Sequence, residues 1–305
     1  MSKSFYINKA NAYGGGPEIF GSRLKESLLG RGYSFSPDGD NNISIIEGEY
    51  KESRNNILRL DGLYLDGDEV SSDTRNKEIL SCYEKFDSII FQSEFCKQVY
   101  EAVAGVHKKS TIINNGAPYG FSPFGHSQNI ENFEKVCIAS ASWRRHKRLE
   151  EIIDAFRSSK LKDIGLLVLG GSSYMDPTLC PENVILLPSI ASDNLPNIYR
   201  SADAMIHLAW LDWCPNTVVE GLCCGLPVLC SSNGGTKELV KNDGVVIQIE
   251  DDYIPGDPAS LYSPPEVDSD VVADGVLSVL EIEKHSGRHD LSIYNASKLY
   301  DSLLV

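Results

Sequence analysis

The feature that most constrains this 305-residue chain is a series of short, predominantly apolar segments, most of them followed by a stretch with helical spacing. In the second half, Lys135–Ala139, Gly165–Gly171, Val184–Leu187, Ala204–Leu208, Pro227–Cys230 and Val245–Ile247 read as strands. None alternates apolar with polar residues, as a sheet with one wet face would. Continuous apolar strands suit a parallel sheet covered by helices on both sides, because both faces of every strand are then buried. Between them Arg148–Phe156 reads as a helix, with Leu149, Ile152, Ile153 and Phe156 on one face. Leu195–Tyr199, Thr217–Cys224, a stretch from Lys237 and Val271–Ile282 are helical by the same spacing. The spacing thus predicts an α/β chain.

The first half repeats the pattern. Ser4–Ile7, Ile43–Ile46, Asn56–Leu60, Ser88–Phe91 and Thr111–Asn114 are the predicted strands. Pro17 opens a helix carrying Ile19, Phe20, Leu24 and Leu28; Arg75–Tyr83 is another, and Ser93 is the N-cap of a third running through Val99. Residues 115–125 are dense in Gly and Pro and read as a linker, which places a domain boundary near residue 126. Leu291–Leu304 is a last helix, with Ile293, Ala296, Leu299 and Leu303 in register.

Composition excludes several classes of partner. With 28 Lys and Arg against 43 Asp and Glu, the net charge of −15 disfavours nonspecific binding to nucleic acid or an anionic membrane. Residues 1–126 hold 14 basic and 17 acidic side chains, leaving 14 and 26 for the rest, so a phosphate site in the second half must be locally basic. The 8 cysteines contain no C-x-x-C pair and read as reduced, buried thiols of a cytoplasmic protein, with no metal site. No signal core or transmembrane segment is visible.

Two stretches carry the chemistry. Asp212 precedes the helix at 217–224 and Glu220 lies within it, with Pro215-Asn216-Thr217 between them. A carboxylate in a strand-to-helix loop can meet a ligand at the helix N-terminus, where free N–H groups and the helix dipole already favour phosphate. Glu220 sits among small apolar residues, where a carboxylate is costly without a specific partner. A solvated helix residue plus a loop aspartate is the competing reading. The second stretch, Ser142-Trp143-Arg144-Arg145-His146-Lys147-Arg148, puts cations at a helix start, which is unfavourable unless an anion is near. Glycine loops accompany both: Gly14-Gly15-Gly16 after the first strand, and Gly170-Gly171 closing a later one.

Asp212-x7-Glu220, followed by Gly225-Leu226-Pro227-Val228 and by Gly234-Gly235 with Glu238, resembles the signature of retaining GT-B glycosyltransferases of family four, the "glycosyl transferases group 1". That signature usually begins with Glu, so Asp212 is one methylene shorter with its charge kept. The resemblance implies a GT-B fold: two Rossmann-like domains whose parallel sheets face each other across a cleft. It implies an acceptor-side domain at 1–126, a nucleotide-sugar-binding domain at 127–289, and a C-terminal helix at 290–305 packing back on the first. It further implies transfer with retention from a nucleotide-diphospho-sugar to a glycan, lipid or small-molecule acceptor, without a cofactor or metal.

By the same resemblance Glu220 holds the ribose, Asp212 the donor-sugar hydroxyls, and Lys147 with Arg144 the diphosphate, Arg144 standing in for the arginine that the family usually has where this chain has Ser142. Gly14, Gly15, Gly16, Gly170, Ile190 (in Pro188-Ser189-Ile190), Pro215, Asn216, Thr217 and Glu238 are the further donor-binding candidates, and Asp61 the acceptor-side one. A turn-forming Asp-Gly is the other reading of Asp61. Arg145 and Arg148 are expected to face solvent. Two further readings stay open: a metal-dependent GT-A enzyme using Asp38-Gly39-Asp40 or Asp66-Gly67-Asp68, and a catalytically silent sugar-nucleotide-binding subunit.

Overall fold

A computed structural model describes every residue except 1, 2, 12, 13, 53, 68, 69, 71, 72, 171–174, 189, 249 and 250. Asp68, Gly171 and Ser189, each part of a motif above, therefore lie outside the described residues. The chain forms two compact units, Met1–Pro118 with Ile254–Ser260 and Asp290–Val305, and Tyr119–Tyr253 with Leu261–His289.

In the first unit the strands are β1 (Ser4–Ile7), β2 (Ser34–Phe35), β3 (Asn41–Ile45), β4 (Asn55–Leu60), β5 (Asp66–Gly67), β6 (Ser88–Phe91) and β7 (Ser110–Ile112). All but β5 form one parallel sheet in the order β2-β1-β3-β4-β6-β7. The helices α1 (Gly16–Gly30), α2 (Thr74–Lys85) and α3 (Glu94–Ala104) follow the predicted pattern. Ser93 caps α3 by accepting from the Cys96 N–H. Phe20, Leu24 and Leu28 of α1 pack on Phe5, Ile7, Ile43 and Ile57. The order changes direction between β1 and β3, where the glycine loop departs.

The second unit contains β8 (Lys135–Ser140), β9 (Ile164–Leu169), β10 (Val184–Leu187), β11 (Ala204–His207), β12 (Val228–Ser231) and β13 (Gly244–Ile247), with α4 (Leu149–Ala155), α5 (Leu195–Ser201), α6 (Asn216–Cys223), α7 (Thr236–Val240) and α8 (Ser269–Leu280). The sheet is parallel, in the order β10-β9-β8-β11-β12-β13. Counted within the unit this is 3-2-1-4-5-6, the order of dinucleotide-binding Rossmann sheets. Its switch point lies between β8 and β11, and ligands of such sheets bind outside the carboxyl ends of the strands there.

Two late segments rejoin the first unit. The strand β14 (Ala259–Ser260) pairs antiparallel with β5. The helix α9 (Ile293–Asp301) starts at Ser292, whose side chain accepts from the Asn295 N–H. It buries Ile293, Ala296 and Tyr300 in the first core, and Ser297 faces Ser27 of α1 at 2.8 Å. Leu299, predicted in register, is 51% exposed; Tyr300 takes the inward position.

The boundary falls at Pro118–Tyr119, earlier than the Gly and Pro content suggested. The reason is Arg200 of α5, whose guanidinium donates to the carbonyls of Gly120, Ser122 and His126 and fastens this segment to the second unit. Phe121 adds an edge-on contact with Tyr199 at 5.6 Å.

Candidate active site

Two loops leave the sheet of the second unit at its switch point, one after β8 and one after β11. The first makes a single 3-10 turn at Arg145–Lys147, and the Trp143 indole N–H donates to Leu169 O at 2.8 Å to hold its base. The second is drawn onto it when the Trp210 N–H donates to His146 O at 2.8 Å. This closeness lets Lys147 Nζ donate to Asp212 Oδ2, although the residues are 65 positions apart. His207, the last residue of β11, lies with Nε2 3.0 Å from the same oxygen. The side chains are 17% (Lys147), 12% (Asp212) and 5% (His207) exposed.

Burial alone would raise the Asp212 pKa. The Lys147 ammonium and the His207 N–H outweigh it and hold the carboxyl well below the usual carboxylate range. For His207 burial dominates and lowers its pKa against the pull of Asp212, so the ring is neutral near pH 7 and donates from Nε2. His146, buried beside Lys147, is lowered to about 4.

The backbone of Asp212 is held as firmly as its side chain. Leu211 adopts φ +56, a left-handed conformation that costs about 1–2 kcal/mol in a residue with a Cβ. The strain is supported from behind by Gly234-Gly235. The Gly235 N–H donates to Asp212 O at 2.7 Å, and a Cβ on Gly234 would lie 2.8 Å from that same oxygen. Glu238 follows one turn later, half-buried in α7.

Pro215 caps α6 in extended conformation. Asn216 and Thr217 open the helix, half-buried, and Asn216 Oδ1 is enclosed without a hydrogen bond among the described residues. Glu220 lies on the inner side of α6 at 4% exposure, so the solvated reading of this carboxylate does not hold. Gly170 ends β9 with φ +74 where a Cβ would meet Ala141 O at 2.7 Å, which explains a glycine at that position. Ile190 is half-buried beyond β10.

The neighbouring cations separate. Arg144 is exposed and makes no ion pair among the described residues, Arg145 pairs with Glu151, and Arg148 contradicts the expectation of a solvent-facing side chain. Arg148 is wholly buried because its φ of +60 turns it inward, where it donates to Leu208 O at 3.3 Å and Pro265 O at 3.1 Å. It braces the β11 loop.

In the first unit, Gly15 caps α1 and Gly16 begins it, both exposed; Gly14 packs so closely on Glu18 that a Cβ would lie 2.4 Å from that residue's Cβ. Asp61 is a buried carboxylate 3.1 Å from Arg59 Nε, with its own carbonyl accepting from Gln92 at 2.6 Å. Burial raises its pKa against the opposing charges of Arg59 and Lys9. Asp38-Gly39-Asp40 is tied up structurally: Asp38 pairs with Arg54 at 3.2 Å and Asp40 accepts from Ser4 at 2.7 Å. Gly39 is there because a Cβ would lie 2.6 Å from the Phe5 backbone.

Reading the sequence missed His207, which looked like the end of an apolar strand. Its signal was chemical: a histidine in a fully buried strand needs an acceptor, and a carboxylate stood five residues on.

Comparisons with known proteins bear on the family and the fold. Residues 125–295, more than half of the chain, match the family model described as "Glycosyl transferases group 1". A curated protein of Methanocaldococcus jannaschii, named an uncharacterised glycosyltransferase, is 26% identical over 205 residues, covering 61% of this chain and 52% of its own length. The chain thus spans about half the length of the curated relative it matches. Among solved structures, a sucrose-phosphate synthase from Thermosynechococcus elongatus superposes with a TM-score of 0.69 at 13% identity, covering 100% of this chain and 95% of that one. Anabaena HepE, solved in complex with UDP and glucose, gives 0.64 at 14% identity over 100% and 96%. WaaG, a glycosyltransferase of lipopolysaccharide biosynthesis, gives 0.60 at 11% over 98% and 95%. These likenesses show the fold, which is GT-B, and the GT-A reading of the Asp-x-Asp turns falls with it. Among the described residues no helix is long and apolar enough to cross a membrane, and no group of three or more His, Cys, Asp or Glu is placed to hold a metal ion.

Proposed function

The chain belongs to the glycosyl transferases group 1 family, and on that premise we propose that it transfers a sugar, with retention and without a metal, from a nucleotide-diphospho-sugar to a hydroxyl acceptor. The observation that carries this reading is the Lys147–Asp212–His207 constellation at the switch point of a Rossmann sheet, with buried Glu220 on the next helix. Lys147 is the one member able to leave its partner, because Asp212 keeps a second donor in His207. Its ammonium then opposes the diphosphate as negative charge grows on the departing phosphate. A cation that binds more strongly in the transition state than in the ground state raises turnover, the task a bound metal performs in other enzymes.

In this reading Asp212 accepts hydrogen bonds from the donor sugar and Glu220 from the ribose. Arg144, exposed and without an ion pair among the described residues, adds a second positive charge to the diphosphate. Asn216, Thr217 and the α6 N-terminus receive phosphate oxygens, with Pro215 setting the entry. Gly170, Ile190 and Glu238 line the rest of the donor; Gly14, Gly15 and Gly16 are the first unit's donor-binding candidates, and Asp61 is its acceptor-side one. UDP and glucose in a structural relative make a UDP-sugar the first donor to try.

The test is a thermal-shift panel of UDP-, GDP-, ADP- and dTDP-sugars, followed by donor hydrolysis and transfer in EDTA. A midpoint raised by one donor, with turnover that survives EDTA, is the expected result. No shift with any donor sinks the donor reading, and activity lost in EDTA but restored by Mn²⁺ sinks the metal-independent part. Binding without hydrolysis or transfer leaves a sugar-nucleotide-binding subunit.

A further inference from the structure

We propose that His207 is a positioning residue for Asp212, holding that carboxylate in place while Lys147 is engaged elsewhere. The inference rests on the donor reading above and deepens it. Lys147 Nζ and His207 Nε2 both donate to Oδ2 of Asp212, and among the described residues no hydrogen bond reaches Oδ1. One oxygen is thus occupied by the protein and the other is free for a ligand hydroxyl. Once Lys147 turns to a diphosphate, Asp212 has lost its cation while remaining 12% exposed. A buried carboxylate with no donor would swing or take up a proton. His207 prevents both from behind: it is 5% exposed, sits at the end of a strand inside the sheet, and is rigid where a lysine is flexible. The loop between them is pinned independently, by Trp210 N–H on His146 O and by Ser231 Oγ on Ala209 O at 3.1 Å. His207 therefore fixes the side chain, not the loop. The aspartate, shorter than a glutamate, stays within reach of the strand that supports it.

The test pairs His207→Phe, which keeps the ring volume without the donor, with His207→Gln, which keeps an N–H near the Nε2 position. Steady-state kinetics use whichever sugar nucleotide of the panel stabilises the wild type most. His207→Phe is expected to lower kcat about 10- to 100-fold, the scale of one hydrogen bond to a charged group, with donor KM changed far less. His207→Gln is expected to restore kcat to within a few-fold at a similar thermal midpoint. Wild-type kcat in His207→Phe, with Asp212→Asn still crippled, would overturn the role of His207 and leave the donor reading standing. Wild-type kcat in both His207→Phe and Asp212→Asn would overturn the donor reading itself. A purely structural role predicts that both His207 variants lose midpoint together and that Gln brings no rescue, and that outcome also overturns the proposal. A readout without turnover is the imidazole ¹⁵N spectrum with the diphosphate UDP, GDP, ADP or dTDP that binds. Nε2 of His207 stays protonated and bonded in the complex; loss of that proton on binding would contradict the inference.

Discussion

Asp61 in the first unit and Asp212 in the second each lie buried against a cation beyond the carboxyl end of a strand, yet folding moves their pKa values in opposite directions. Asp61 has Arg59 Nε at 3.1 Å, with its Oδ1 making no well-aligned hydrogen bond among the described residues, so burial wins and its pKa rises. Asp212 accepts from Lys147 and His207 together, and its pKa falls. The cations differ as well. Arg59 is 0% exposed and spends its other nitrogens on Ile113 O and Asn115, with its plane 3.9 Å from the Phe20 ring. Among the described residues Lys147 has Asp212 alone, and it remains partly open to solvent. A cation with four partners is part of the architecture, whereas one with a single, separately supported partner is available for a ligand.

Arg59→Ala is the largest expected perturbation. It should cost about 3–5 kcal/mol of unfolding free energy in urea titration, because it strands a buried carboxylate and removes the support of α1. A loss below about 1 kcal/mol would erase the contrast. Arg148→Ala comes next, at about 2–4 kcal/mol, since it leaves Leu208 O and Pro265 O without their donor.

The pH dependence sharpens the comparison, because the two aspartates should act with opposite sign. A carboxyl raised on folding contributes stability that is fully present below its unfolded pKa of about 3.9 and lost as the pH rises through the folded value. One lowered on folding contributes stability present above about 3.9 and lost as the pH falls towards the folded value. The stability difference between wild type and Asp212→Asn should therefore shrink as the pH falls below about 4, and that for Asp61→Asn should shrink as the pH rises from there. Unfolding free energies between pH 3 and 7 decide it; slopes of the same sign would refute the assignment of one or the other. The smallest effect belongs to Arg145→Ala, which removes a pair at a 41% exposed side chain and should change stability by less than about 1 kcal/mol.

The parallel sheets were legible because buried strands flanked by helices leave long apolar runs, and Ser88–Phe91 and Val184–Leu187 came out to the residue. The Lys147 and Asp212 loops were legible as a motif. What the sequence hid was the inward turn of Arg148, since an arginine in a charged run is by default solvated. Its partners lie 60 and 117 positions away, and the left-handed backbone that aims it is not written in its own residue type. His207 was hidden for a similar reason: whether a strand residue meets a loop five places on depends on Leu211 turning left-handed, which the Gly234-Gly235 contact permits. Arg59 reads as one polar residue in an apolar strand, and only the packed core shows that it is enclosed.

The most direct test of the central distinction, a structural cation in one unit and an available one in the other, is Lys147→Ala measured for turnover and stability on the same preparation. With His207 still on Asp212, unfolding free energy should fall by only about 1–2 kcal/mol. Turnover of the panel-selected donor should fall by about 10²–10³-fold, as on loss of one preorganised donor at a developing oxyanion. A stability loss matching that of Arg59→Ala with kcat unchanged would contradict the account and make Lys147 a second structural cation.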